Sequence, residues 1–588
     1  MSRIFFISLT LFLLISGCKS DPDTSTKNNP WNRTSNEVII RIDDEPDRLN
    51  PLLYSTAYAD QVLSQIFLRL LDLDPVKLTL IPSLATARPT IENVTEGPNK
   101  GGVSYTFEIH PEAVWDDGLP VTGEDFAFGV KAAMIPTLKT ERIRPYLSII
   151  NAIEIDPSNP KKFTVFVKEK SFMAEEVIGG TIPVIPAHLY DEMGYLVKYP
   201  VSDFLDKDKI KDLAENNDDI KAFVRSFNSV KFSRSPDYIR GCGPYKLKEW
   251  KTGESVVLDK KENWWGDKLM EKYPAISAYP DRLIFKDIIE DAIISSLIKS
   301  EEIDVVADVK ANDFLALRKD PTVNKKYNFF TPSSTSLYFI YLNTKDPMLS
   351  DKRVRKAFAH AINVDEIIET IMGGFATRVS GPVSPLFSFY NHDLKLIDYN
   401  IDAAKKLLAE AGWSDSNNDG TVDKVMNGER VELVIPMQIV AGSSRQKNMV
   451  LLAIENAKPA GIGIKAVDLL DFNKMKENTR TGNYTAAVAG RRLSPISWNP
   501  KQSWSTENDN RTGFGNAETD ALIDEIMTTL DEAKRNELYK KLQAIIYDEQ
   551  PEIPLFTPTS RIVIHKRFET DLTVQHPGFI PNRFRLKK

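Results

Sequence analysis

At 588 residues the chain is well above the size of one ordinary domain, so two or three lobes are expected. Its 75 Lys and Arg against 82 Asp and Glu leave a formal charge of −7, modest for this length. The basic residues are dispersed, which excludes a dedicated nucleic-acid surface, and two cysteines, Cys18 and Cys242, exclude a disulfide framework.

Arg3 precedes an apolar run over residues 4–15, broken by Ser8 and Thr10 and followed by Ser16-Gly17-Cys18. About 20 apolar residues are needed to cross the hydrocarbon core, so this run is too short for a span. It reads as a signal peptide over 1–17. Cys18, preceded by two small residues and an aliphatic one, resembles the bacterial lipobox, which implies lipid attachment there. The alternative is an ordinary signal that happens to end beside a cysteine. A residue carrying more than one acyl chain is anchored stably. Residues 18–36 are polar, hold two prolines and lack a periodic apolar face, so they read as a flexible tether.

Short β-branched or aromatic runs bounded by turn residues predict strands over 38–42, 105–109, 163–167, 255–258 and 337–342. Between the second and third, Trp115-Asp116-Asp117-Gly118 reads as a turn, and Thr122-Gly123-Glu124-Asp125 as a helix-opening capping box. A helix from Asp351 carries Val354, Phe358, Ala361 and Ile362 on one stripe, with Lys352, Arg353, Arg355 and Lys356 outside it. A second, over 402–411, starts at a capping acid, turns Ala404, Leu407, Leu408 and Ala411 inward and stops at Gly412. Near the end, Leu522, Ile523, Ile526 and Leu530, then Leu538, Leu542, Ile545 and Ile546, form two more stripes. Strands and helices mixed throughout favour an α/β class.

Catalytic constellations are missing from this pattern. His110, His188, His360, His392, His565 and His576 are scattered, with no metal-ligand spacing. No nucleophile elbow or phosphate-cradling loop occurs. Gly461-Ile462-Gly463 runs from helix to strand, the reverse of a dinucleotide fingerprint. Asp415, Asn417, Asp419 and Asp423 alternate around Gly420 as calcium ligands do, but the twelfth position is Met426 where a bidentate glutamate belongs. The loop reads as a self-capped turn and only weakly as a metal site. A non-enzyme without cofactors is expected.

Several segments, in order, resemble the family-5 extracellular solute-binding proteins of ABC importers, the oligopeptide-, dipeptide- and nickel-binding group. They are Glu45-Pro46-Asp47-Arg48-Leu49-Asn50-Pro51, Tyr105 to Ile109 leading through Trp115-Asp116-Asp117-Gly118 to Asp125, and Gly241-Cys242-Gly243-Pro244-Tyr245 with Asn263-Trp264-Trp265-Gly266. The strand at 337–343, the arginine-containing helix at 351–363 and the helix ending at Ala411-Gly412 follow. The resemblance implies a two-lobed type II periplasmic-binding-protein fold. It implies a discontinuous domain I over 37–80, 236–335 and 553–588, an inserted domain II over 81–235 and a domain III over 336–552. Hinge strands are expected near 337–343 and 553–557, and Cys242 is expected to be a small buried residue. The implied partners are a peptide or other small-molecule ligand, ABC permease subunits and, through the N-terminal lipid, a membrane. A monomer at the cell envelope, facing the periplasm or exterior, is expected. The other reading is a sensory or adhesion lipoprotein that keeps the fold without transport.

The resemblance breaks at 489–500. Peptide binders of this family carry an aspartate there that pairs with the peptide amine; here the stretch holds Arg491, Arg492 and Trp498 and no acid. A guanidinium grips carboxylate or phosphate in two-pronged fashion. Arg491 or Arg492 is therefore expected to contact an anionic ligand group, with Trp498 as an apolar wall. The alternative is that both arginines lie on the surface or pair with Asp or Glu. Asn343 and Tyr341, on the predicted crossing strand, complete the expected ligand contacts.

Overall fold

The computed structural model describes residues 35–469, 471–494, 496, 498–507 and 510–587. The expected signal peptide, Cys18 and nearly all of the tether lie outside them. Among the described residues no helix is long and apolar enough to cross a membrane.

Three main sheets organise the chain. The seven-stranded one runs Tyr327–Phe330, Ile562–His565, Val305–Val306, Glu37–Ile42, Arg282–Asp287, Ser255–Lys260, Tyr245–Lys251. Its central strand, Glu37–Ile42, pairs in parallel with both neighbours and buries Val38, Ile40 and Ile42, as a strand enclosed within a sheet must. The second sheet is a four-stranded antiparallel one of Thr90–Asn93, Val103–Glu108, Lys162–Val167 and Ile150–Ile155. The third has six strands, in the order Ala376–Arg378, Glu552–Pro558, Ser336–Leu342, Ala486–Arg492, Val434–Val440, Gly463–Leu469. Helices Lys352–His360, Val364–Met372, Ile401–Glu410 and Ser444–Ala457 share a hydrophobic core with this third sheet.

The chain passes between the seven- and six-stranded sheets twice, near 331–335 and 559–561. The two passages are neighbours, joined by a bridge between Ser333 and Thr559 and by the Ser334 and Ser560 amides donating to the carbonyls of Pro558 and Pro332. Strands Ser336–Leu342 and Glu552–Pro558, which adjoin these passages, pair with each other.

The expected strands and helices are found with small shifts in their ends. Thr122 and Asp125 form the capping box that opens helix Gly123–Met134. Asp351 caps helix Lys352–His360 by accepting the Arg353 amide, while two expectations about this helix and a later one need correction. Helix Ile401–Glu410 is capped by Asn400, whose side chain accepts from the Ala403 amide, while Asp402 stands in the first turn. Arg355 is not on the solvent side: it is 2 % exposed, and its guanidinium donates to the carbonyls of Leu349, Ser350, Glu549 and Gln550 at 2.6–3.2 Å. Five donors in a rigid fork can be buried where four carbonyls converge; periodicity alone does not reveal that convergence. Gly461, at φ +79°, makes the expected helix-to-strand turn into Gly463–Leu469.

Candidate ligand-binding cleft

Helix Ala57–Ile66 carries the first wall of the cleft, and its position is fixed at both ends. Thr56 caps it by accepting from the Ala59 amide at 3.2 Å, and the Asp47 carboxylate accepts from the Ser55 and Thr56 amides at 3.1–3.3 Å. At the other end Gly241-Cys242-Gly243 lies against the Ile66 carbonyl, which accepts the Gly243 amide at 2.8 Å; a side chain at either glycine would collide with that carbonyl. The Cys242 carbonyl accepts from both indoles, Trp264 and Trp265, at 2.9 Å. The Cys242 thiol is 1 % exposed, and burial pushes its pKa up to about 12.

Three adjoining cavities of about 230, 470 and 520 Å³ lie where this helix, residues 69–73 and helix Ala174–Gly180 face residues 492–494 and Ile496. Asp60 and Arg69 line all three, and Glu176, Gly180 and Ser494 stand where the two larger ones meet. A further cavity of about 490 Å³ adjoins through Leu80 and Ile496 and is walled by Tyr105, Phe172, Phe387 and Phe389. The cleft sits between bodies joined by two short passages, the setting in which ligand sites form.

Its floor is charged. The Asp60 carboxylate accepts from the Tyr54 hydroxyl at 2.5 Å and from the Arg69 guanidinium at 2.9 Å. Burial works against the Asp60 charge, but Arg69 and Tyr54 outweigh it and hold the carboxyl below the ordinary range. The Arg142 guanidinium lies over the Tyr54 ring, 4.2 Å from its centroid. His576 faces Asp308 at 3.5 Å and also lines the cleft. The Ser494 hydroxyl donates to Glu176 at 2.9 Å, linking residues from opposite walls.

The residues singled out in the sequence are dispersed. Arg492 lines two of the cavities, and among the described residues no hydrogen bond or ion pair holds its guanidinium. Arg491 points the other way, because successive strand residues face opposite sides. It donates to Glu552 at 2.5 and 2.8 Å and to the Pro382 carbonyl at 2.7 Å, and it stacks over Phe339. Trp498 is 3 % exposed in a stack with Phe389 and Tyr539, behind the wall and not on it. Tyr341 packs edge-on against Phe339, next to Arg491. The Asn343 amide nitrogen donates to the carbonyls of Gly482 and Tyr484 at 3.1 and 2.8 Å, and its oxygen accepts the Lys345 amide, which ties down a turn outside the cleft. In the 415–423 loop, Asp415 accepts the Asp419 and Gly420 amides, and Asp423 the Ser416 amide and hydroxyl. Those carboxylates are spent on their own turn, and among the described residues no three His, Cys, Asp or Glu side chains are grouped to hold a metal.

Asp60, Arg69, Arg142, Glu176, Ser494 and His576 were not singled out as site residues. They come from five separate stretches, and only the packing of the two walls unites them.

Comparison with known proteins agrees with this architecture. Oligopeptide-binding protein AppA of Bacillus subtilis (strain 168) is 24 % identical over 574 residues, covering 95 % of this chain and 93 % of that one. Dipeptide-binding protein DppE of the same organism is 24 % identical over 470 residues, 78 % of this chain and 76 % of that one. The structure of HbpA2 from Haemophilus parasuis superposes with a TM-score of 0.72 at 18 % identity, over 94 % of this chain and 100 % of that one. That of AppA from Bacillus subtilis, in complex with a nonapeptide, gives 0.65 at 22 % identity, over 94 % and 99 %. These likenesses give the fold, a mixed α/β, two-lobed periplasmic-binding-protein architecture. The model of the bacterial extracellular solute-binding proteins, family 5 Middle, matches residues 79–512, nearly three quarters of the chain, and the chain accordingly belongs to that family, a binding protein and not an enzyme.

Proposed function

We propose that this protein captures a peptide or a related small solute between its lobes and delivers it to the permease of an ABC-type importer. In this reading it is held at the cell envelope by a lipid on Cys18, outside the cytoplasm, and works as a monomer. Residues 37–80, 236–335 and 553–588 form domain I, 81–235 domain II and 336–552 domain III, so that closing domain III onto the others encloses the ligand. Relatives named for oligopeptide and dipeptide binding support the solute class.

The observation that carries the reading is the charged cleft between two bodies linked by two short neighbouring passages. It is lined by residues of both charges, Arg142 and Arg492 among the cations and Asp60 and Glu176 among the carboxylates, a mixed surface that suits a polar or zwitterionic solute. Arg492 is the residue we assign to an anionic ligand group. A ligand binding only the closed state shifts the lobes toward closure by its differential affinity.

Native mass spectrometry of the purified protein tests the cargo: a bound peptide mass, lost on mild unfolding and restored from a peptide pool, is expected. A protein that takes up no peptide and raises no unfolding midpoint with any pool is not a peptide binder. Labelled palmitate incorporated into the wild type but not into Cys18→Ala, with the variant released from the membrane fraction, is the result expected for the anchor.

A further inference from the structure

Residues 168–173 leave the four-stranded sheet after strand Lys162–Val167 and lead into helix Ala174–Gly180. They are fixed to their own body. The Ser171 carbonyl accepts the Tyr105 hydroxyl from strand Val103–Glu108 at 3.4 Å and the Ala174 amide at 3.2 Å, and Glu175 clamps Arg88 with two bonds of 2.6 Å. Phe172, within this stretch, is only 8 % exposed, and the other body helps to cover it. Its ring meets Tyr539 edge-on, with centroids 6.2 Å apart, and lies 4.7 Å from the Arg535 guanidinium. Its amide donates to the Met527 carbonyl at 3.2 Å. Met527 stands in the last turn of helix Ala517–Thr528, where carbonyls lack a partner within the helix, so Phe172 supplies one from outside. Arg535 is itself pinned, donating to the Thr529 and Leu530 carbonyls at 3.0 Å, which holds its planar face toward the ring. Tyr539 and Arg535 belong with the six-stranded sheet: Arg355 ties the end of their helix, Glu532–Glu549, to helix Lys352–His360 in that sheet's core.

We infer that Phe172 is a latch between the lobes, a contact made only when they close, which holds a share of the ligand-free molecules closed and tightens capture without touching the ligand. The inference rests on the proposed closing of the lobes. The contact joins the bodies at a place that includes neither passage, 331–335 nor 559–561, so it can break while both passages stay intact. Its geometry is specific: an edge-on aromatic pair, a ring against a guanidinium and a main-chain hydrogen bond all meet at one residue. Opening the lobes returns an almost fully buried phenylalanine ring to water, which opposes opening. A ligand that binds only the closed form has an apparent Kd equal to its closed-form Kd divided by the closed fraction, so the latch strengthens the binding of every solute by one common factor.

Small-angle scattering of the ligand-free protein and calorimetry with peptides recovered from the wild type test this on Phe172→Ala. The variant is expected to show a larger ligand-free radius of gyration, and Kd values weaker by about ten- to hundredfold, the range of burying one such ring, by the same factor for each peptide. Saturating peptide is expected to restore the wild-type radius, which a misfolded variant cannot do. Because Phe172 and Arg535 also border the cavity of about 490 Å³, a ligand contact is the competing explanation, and the shape without ligand separates the two. Equal ligand-free radii overturn the latch and leave capture standing, and a loss of affinity confined to some peptides makes Phe172 a ligand contact. A wild type that binds no peptide overturns capture, while the radius of Phe172→Ala still judges the latch. Arg535→Lys approaches the contact from the other body, keeping the charge and removing the planar face, and carries the test if Phe172→Ala does not fold. It is expected to shift radius and affinity in the same direction, with the double variant no worse than Phe172→Ala alone. Fully additive effects would place the two residues in separate contacts and overturn the latch.

Discussion

Arg491 and Glu552 form a two-pronged ion pair, at 2.5 and 2.8 Å, between non-adjacent strands of the six-stranded sheet, with Glu552 only 1 % exposed. Burial opposes the Arg491 charge, but Glu552 and Tyr341 outweigh it and keep the guanidinium protonated. Arg492, the next residue, takes the other face of the strand and borders the cleft. Two adjacent arginines thus have separate places, one paired inside the fold and one bordering the cleft.

Arg491→Ala leaves the Glu552 carboxylate buried without its cation, and breaking such a pair costs about 3–5 kcal/mol. Urea or thermal unfolding is expected to register that loss. Arg492→Ala is expected to change stability by less than about 0.5 kcal/mol, as a surface substitution does, while weakening the binding of an anionic ligand. Equal loss of stability in both variants would contradict the division of roles.

Trp498 belongs to the same separation of core from site. Its ring lies 5.3 Å from Tyr539 and 6.1 Å from Phe389, and its carbonyl accepts the Tyr539 hydroxyl at 2.5 Å. Trp498→Ala should therefore cost about 3–5 kcal/mol of unfolding free energy, and Trp498→Phe a smaller part of it. Below the unfolding midpoint the ligand affinity of Trp498→Phe is expected to match the wild type. An affinity loss in that variant at unchanged stability would move Trp498 onto the ligand wall.

These residues also mark where the sequence is legible. Strands such as Glu37–Ile42 and Ser336–Leu342, and the helix capped by Asp351, announce themselves through local alternation, periodicity and caps, because their signals sit within a few residues of one another. The positions of Arg491 and Trp498 depend on partners 61 and 41 residues away, Glu552 and Tyr539, and no local pattern encodes those contacts. The cleft is the extreme case. Ser494 meets Glu176 across 318 residues, and no local pattern pairs those two segments.

Arg355 holds its helix from inside the fold. Its donors go to carbonyls of Leu349, Ser350, Glu549 and Gln550, which ties the start of helix Lys352–His360 to the end of helix Glu532–Glu549. Lysine has three donors on one atom and cannot span four carbonyls. Arg355→Lys is expected to cost about 1–3 kcal/mol, one or more buried carbonyls being left unmatched. A loss within about 0.5 kcal/mol, the range of surface sites, would return Arg355 to the solvent side of the helix.

The Asp60 carboxylate gives the cleft a signature in acid. Its pKa in the folded protein lies below the ordinary carboxylate value of 3.8, burial being outweighed by Arg69 and the Tyr54 hydroxyl. The folded state therefore holds this proton less tightly than the unfolded chain does. A carboxyl of this kind adds stability above its unfolded pKa, about 3.9, and that contribution disappears as the pH falls through the lower folded value. Asp60→Asn removes the titrating group and is expected to lower the unfolding midpoint by a constant amount above about pH 5. Below about pH 4 the two proteins should converge, because the wild type then loses what the variant never had. The same convergence is expected for Arg69→Met, which removes the cation that depresses Asp60. Midpoints measured from neutral pH down to about pH 2.5 read both variants. Curves that stay parallel over the whole acid range would show that Asp60 titrates at its unfolded value and that the Arg69 contact does not stabilise its charge.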